Sequence, residues 1–246
     1  MLSYAVLPAV LMIAGALVAI FRPPGPHLRS GILHFAAGLI FAVVAVELIP
    51  EMVKAHSATE VSIGFVLGVL AMLGLSRLTE GQVEGTLVAT EESNAAASAA
   101  GVPLPLGMLL AVAVDLAIDG LLIGIGFAAG AKTGQLLAFA LTVELLSLGL
   151  ALATTLGQRG VSRGRVIGII AGHAGVFLVV ALVGATLLQG LPEAPLVIIL
   201  SFGSAALLFL VTEELLVDAH EEKHTSLLTA TFFAGFLLFL VLGIIG

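Results

Sequence analysis

Apolar residues fall into eight runs along the chain, at about 3–21, 31–51, 61–76, 104–129, 134–157, 166–188, 195–217 and 226–245, separated by short polar segments. The runs are roughly 16–26 residues long, and most are long enough to cross a hydrocarbon core of about 30 Å; the third is short. Lipid offers no hydrogen-bond partner to the backbone, so each run is predicted to be a helix. The expected fold is an all-α membrane protein of eight spans in one domain, residues 1–246. The stretch 78–103, "LTEGQVEGTLVATEESNAAASAAGVP", is the one long connection, and its Ala, Ser, Gly and Glu content predicts a disordered linker.

The same pattern hides an internal match. "FAAGLIFAVVAVELIPE" from Phe35 and "FGSAALLFLVTEELLVD" from Phe202 align without gaps. Glu47-Leu48 falls on Glu214-Leu215, Glu51 on Asp218, Phe65 on Phe232 and Gly68 on Gly235, all at an offset of 167. The segments lie in spans 2–3 and 7–8, five spans apart, so the two copies point in opposite directions. Weak inverted repeats of this kind mark secondary transporters.

Composition agrees with a bilayer as solvent: 60% of the residues are apolar, 10% are charged and mean hydropathy is +1.22. The absence of cysteine excludes disulfides and thiolate metal sites, and a net charge of −7 argues against nucleic-acid binding. The N-terminal "MLSYAVLPAVLMIAGALVAIF" lacks a basic leader region and reads as a span, although a signal-anchor has the same pattern. With eight spans both termini share a side. One face holds Arg22, Arg29, Arg77, Arg159, Arg163, Arg165 and Lys223, the other only Lys54 and Lys132. That bias places the first face in the cytoplasm and both termini outside.

Candidate chemistry lies in the acids. Asp115 and Asp119 in span 4 are four residues apart, on one helix face; Glu144 is in span 5. At about 1.5 Å per residue, Asp119 and Glu144 reach similar depth near the midplane. Each such acid costs about 2.5–3.5 kcal/mol on an insertion scale, so three cost on the order of 8–10 kcal/mol if independent. All nine basic residues fall in predicted loops or at span ends. The acids are therefore expected to be protonated, hydrogen-bonded to neutral groups, or holding a cation. Neutral acids packing helices together are the plain structural alternative; facing carboxylates at mid-depth favour an ion pathway. His173 in span 6 is a further candidate ligand, with a carbonyl-bonded core histidine as the alternative. Glu47 and Glu51 near one end of span 2, and Glu213, Glu214 and Asp218 near the other end of span 7, are solvated helix ends or the two mouths of one route.

His220-Glu-Glu-Lys-His224 matches the H-E-x-x-H pattern of zinc proteases, but it falls in a short loop. A protease needs that motif on a sustained helix with a third ligand and a dry cleft, and neither has a candidate nearby. A solvated turn is favoured, with His220 as a docking point for an exiting cation second.

"HFAAGLIFAVVAVELIPE" and "SFGSAALLFLVTEELLVDAH" are similar to the second and seventh spans of the ZIP (Zrt/Irt-like) divalent metal transporters, and the resemblance covers essentially the whole chain. It implies inverted repeats, spans 1–3 and 6–8, around central spans 4–5. The family's span 4 commonly reads H-N-x-P-E-G. Here the matching run is Asp115-Leu116-Ala117-Ile118-Asp119-Gly120, so the asparagine and proline are lost. In span 5, Gly149 fits a second motif, Glu144 falls on its first ligand and Leu148 replaces its glutamate; His173-Ala174 stands where span 6 often has Glu-Pro.

The resemblance thus implies one metal site, from Asp115, Asp119 and Glu144 with His173 as a fourth candidate, and a dismantled second position. A carboxylate set shifts preference from zinc toward Mn²⁺, Fe²⁺, Mg²⁺ or Ca²⁺. The expected function is transport of a divalent cation by elevator-type alternating access, in a homodimer within the plasma (inner) membrane of a prokaryote. The metal is substrate, with no further cofactor and no enzymatic activity. The competing readings are a proton-linked carrier of another substrate and a non-transporting membrane metal-binding or sensor protein.

Overall fold

The computed structural model describes residues 2–22, 24–55, 57–93, 104–188, 190–219 and 225–245, and among these the chain is helical with no strand. The helices are α1 (Leu2–Phe21), α2 (Pro26–Val43), α3 (Ile49–Lys54), α4 (Ala58–Ser93), α5 (Leu106–Ala129), α6 (Ala131–Gln158), α7 (Arg163–Leu187), α8 (Glu193–Phe209), α9 (Leu216–Ala219) and α10 (Ser226–Ile245). A π-helical turn, Val44–Leu48, joins α2 to α3, and another, Leu210–Leu215, joins α8 to α9. Eight of the resulting rods are long and apolar enough to cross a membrane, which makes the chain a multi-pass membrane protein by length and composition. The predicted spans fall within these rods to within two residues.

The stretch 78–103 is described only in its first part. α4 continues as helix to Ser93, and 94–103 lie outside the described residues. Extending a helix that is already nucleated costs little per residue, and no proline occurs between Arg77 and Pro103 to stop it.

Four pairs of helices pack most extensively: α1 with α6, α5 with α7, α2 with α10, and α4 with α8. Each pair closes on a glycine. A Cβ at Gly149 of α6 would overlap the Met12 carbonyl oxygen of α1, and one at Gly235 of α10 would overlap the Phe35 carbonyl of α2. At Gly120 of α5 it would lie 2.6 Å from the Phe177 carbonyl oxygen, and at Gly68 of α4 2.6 Å from that of Phe202. Membrane helices gain stability from such close backbone approach, because burying apolar surface away from lipid contributes nothing. Met12, Leu116, Ile123, Leu141 and Phe177 fill the centre, while Val66 and Leu70 of α4 and Phe233 and Leu237 of α10 face outward. α6 is the most enclosed of the eight spans, and Glu144 lies on its buried side.

At one end of the bundle α6 stops at a turn built on Gly160, whose φ of +80° is the left-handed conformation that favours glycine. Gly160 N–H donates to the Gly157 carbonyl and Val161 N–H to that of Leu156, a Schellman cap that satisfies two terminal carbonyls. Arg22, Arg159, Arg163 and Arg165 lie at this end, called the basic end below.

Candidate metal centre

The three acids of the centre sit on the two packed helices α5 and α6. Asp119 is 0% exposed and Glu144 4%, while Asp115, one turn nearer the basic end on α5, is half-buried. The lone turn separating the aspartates is a rise of about 6 Å. None of the three lacks a partner. A cavity of about 80 Å³ opens between α2, α5, α6 and the second π-helical turn, in the half of the bundle nearest the basic end. Asp115, Glu144, Ser147 and Arg29 supply its polar lining; Leu33, Leu148 and Leu215 are among its apolar walls. Ser147 Oγ already donates to the Val143 carbonyl (3.1 Å), so its lone pairs are what it offers to a cation.

Asp115 and Glu144 are thus brought to one cavity, and Asp119 is enclosed one turn beyond it. His173 is not among the lining residues. Its Nδ1 lies 2.9 Å from the Ile169 carbonyl oxygen and its Nε2 2.9 Å from that of Leu109, so both ring nitrogens face backbone of α7 and α5 rather than the acids. Among the described residues, no three acids or histidines gather closely enough to hold a metal ion.

The presence of Arg29 departs from the sequence expectation, which kept every basic residue out of reach of the acids. The apolar run starts near residue 31, but the helix starts earlier, at Pro26. Proline at a first helical position was the available signal, because its fixed φ suits a helix start. Arg29 therefore stands on the first turn of α2 and lines the cavity.

The outer candidates divide between the two ends. Glu47, in the first π-helical turn and partly buried, accepts a long hydrogen bond from Thr133 Oγ1 (3.5 Å) at the start of α6. Nearby, Lys132 Nζ donates to the Gly243 carbonyl of α10 (2.8 Å), a second tie at the end opposite the basic one. Glu51 pairs with Lys54 (2.6 Å) on the surface, an exposed pair of the kind that contributes little stability. Glu213 is exposed in the second π-helical turn. The side chains of Glu214 and Asp218, and the whole of His220 to His224, lie outside the described residues.

The π-helical turns were not foreseen. The first precedes Pro50, which has no N–H for the ladder; in the second, Thr212 Oγ1 donates to the Leu208 carbonyl (2.9 Å). Such bulges frequently mark functional segments of helices. A scan against protein-family models found no match to this chain, and neither did a search of curated proteins.

Proposed function

We propose that the chain is a ZIP-like secondary transporter, carrying a divalent cation across the membrane by alternating access through Asp115, Asp119 and Glu144. One observation carries this reading: two carboxylates share a cavity within a bundle of membrane-length helices, and a third is fully enclosed one turn beyond. Intramembrane acids at this cost are kept where an ion passes.

The packing supports the rest of the proposal. The offset of 167 carries Leu48 onto Leu215, the last residues of the two π-helical turns. It also carries the approach of Gly235 to Phe35 onto that of Gly68 to Phe202, as related inverted repeats would. The ZIP resemblance implies that spans 1, 4, 5 and 6, here α1, α5, α6 and α7, move past a frame of spans 2, 3, 7 and 8, here α2, α4, α8 and α10; the α1–α6, α5–α7, α5–α6 and α1–α7 contacts hold the first group together. Glu47–Thr133 and Lys132–Gly243 tie that group to the frame at one end, while the cavity lies toward the other. With the basic end cytoplasmic and the termini outside, this is an inward-facing arrangement. The homodimer and the prokaryotic inner membrane belong to the same proposal.

Arg29 acts in this scheme as a tethered cation that the substrate displaces from Asp115 and Glu144. R29Q is expected to lower the divalent-ion concentration for half-maximal uptake by about tenfold, equivalent to about 1.4 kcal/mol. R77Q, at an exposed position that lines neither this cavity nor another basic site, is the control. A weaker apparent affinity in R29Q would make Arg29 a support for the acids rather than a competitor.

Metal choice tests the ligand set. Asp115→His supplies an imidazole, which suits Zn²⁺, in place of a carboxylate, which suits harder ions. Loss of a negative charge weakens every dication alike, so the ratio of zinc to manganese uptake isolates ligand type. That ratio is expected to rise about tenfold, for a gain of around 1.4 kcal/mol. An unchanged ratio in an active variant would remove Asp115 from the site. The proposal as a whole is tested by tracer uptake into proteoliposomes, with a panel of divalent metals competing against one tracer. Binding without uptake would make the protein a sensor, and uptake of a non-metal driven by a proton gradient would make it a different carrier.

A further inference from the structure

A second cavity, of about 390 Å³, opens at the basic end between α1, α6 and α7. Its volume lies within the roughly 300–1,000 Å³ of small-molecule sites. One side is apolar, from Ala19 and Ile20 of α1, Ala153 of α6 and Val166 of α7. The polar part of the lining comes from Thr154, Gln158 and Arg163. None of the acids of the metal centre lines it, so it is a separate site.

Four arginines stand at the ends of the three helices that line it. Arg22 follows the last residue of α1, Arg159 the last residue of α6, and Arg163 and Arg165 open α7; all four are exposed. Residues 1–46 and 145–192, which supply all of these arginines, contain no acid. On a chain of net charge −7 this is a local patch, not the general character of the surface. The Arg163 guanidinium also lies 5.9 Å from the centre of the Phe21 ring, over its face. A cation–π contact draws on the charge of the guanidinium, which still has N–H donors for oxygen atoms of a ligand. Phe21 itself is 73% exposed at a helix end, the place where aromatic rings meet lipid headgroups.

A ligand for this site must present an anion with several acceptor oxygens beside an apolar body, at the level where membrane meets water. A free phosphate meets the first requirement and leaves the apolar wall empty; a fatty tail alone leaves the arginines unmatched. We infer that the cavity between α1, α6 and α7 binds an anionic phospholipid, its phosphodiester held by Arg163, with Arg22, Arg159 and Arg165 at the ends of the same helices adding to the attraction, and its glycerol and upper acyl chain lying along Ala19, Ala153 and Val166. Basic pockets between membrane helices recognise anionic headgroups in this way. The inference rests on the chain lying in a membrane and is independent of whether it transports a metal.

The test uses the full-length protein purified in detergent, with phosphatidylglycerol and phosphatidylcholine of the same acyl chains in competition, read by native mass spectrometry of the retained lipid. Phosphatidylglycerol is expected to be retained preferentially. R163Q should reduce that preference about fivefold, the value of one basic residue near a headgroup, and removal of all four arginines several hundredfold. Gly157→Phe fills the cavity without changing charge; a Cβ there meets nothing within 4 Å, so the helix accepts it. It should also lower phosphatidylglycerol retention severalfold. Equal retention of the two lipids overturns the site. An effect of R163Q with none from Gly157→Phe overturns it too, leaving surface attraction alone. Full displacement by equimolar glycerol 3-phosphate would identify a free phosphate ester as the ligand instead of a lipid.

Discussion

Asp119→Ala is expected to reduce divalent-cation uptake at least a hundredfold while leaving the protein inserted and folded. The side chain is wholly buried on α5, one turn beyond the cavity that Asp115 and Glu144 share. Under the transport proposal, removing it deletes a carboxylate that a passing dication would meet, and a charge-assisted ligand is among the strongest contacts a site can offer. The fold tolerates the change better than most core truncations. Alanine is the best helix former, and the aspartate brings its own desolvation cost, about 2.5–3.5 kcal/mol at a helix centre, which the substitution relieves. Asp119→Asn separates charge from shape, since it keeps the volume and loses the anion. Both variants should elute from size exclusion like the wild type and be inactive in proteoliposomes. Normal uptake by either would remove the centre of the transport proposal.

Gly149→Val is expected to prevent assembly of the bundle altogether. A Cβ at this position overlaps the Met12 carbonyl oxygen, which is backbone and cannot rotate away. α1 and α6 form the most extensive pair in the protein, so relief requires moving α1 as a body. Overpacking in an adaptable core costs about 1–3 kcal/mol, and rigid backbone on the receiving side places this case at or above the top of that range. A marginal protein does not absorb such a loss. The control is Gly157→Val on the same helix, where a Cβ meets nothing within 4 Å. Melting temperature and the monodisperse fraction in detergent should collapse for the first and hold for the second. Equal stability of the two would show that α1 and α6 do not pack through Gly149.

The spans were legible along the chain because apolar length is a one-dimensional property: runs such as 104–129 and 226–245 reappear as α5 and α10 with boundaries shifted by no more than two residues. The acids were legible for a related reason, since Asp115, Asp119 and Glu144 stand out against apolar neighbours. Helix starts were less so. A hydropathy run begins where residues become apolar, whereas a helix begins where its first N–H groups can be left to water, and the interval from Pro26 to residue 31 is where Arg29 was overlooked. The extension of α4 to Ser93 was missed in the same way, because composition predicts solubility of a segment better than it predicts the conformation of a segment continuing a helix.

Other features depend on neighbours that spacing cannot supply. His173 was a plausible ligand by depth, but rotation about the α7 axis turns its two nitrogens to the carbonyls of Ile169 and Leu109. The π-helical turns change the facing of Glu47 and Glu213 by one residue, a shift that a 3.6-residue period does not anticipate. Local pattern decides whether a segment is helical and membrane-long, because backbone hydrogen bonds in lipid close within the segment itself. Which side chains share a space, whether Arg29 with Asp115 and Glu144 at one cavity or Arg163 with Gln158 at another, is decided by helix rotation and by the glycines that set how closely axes approach. Those are properties of pairs of helices, and they become determinate only when all the pairs close together.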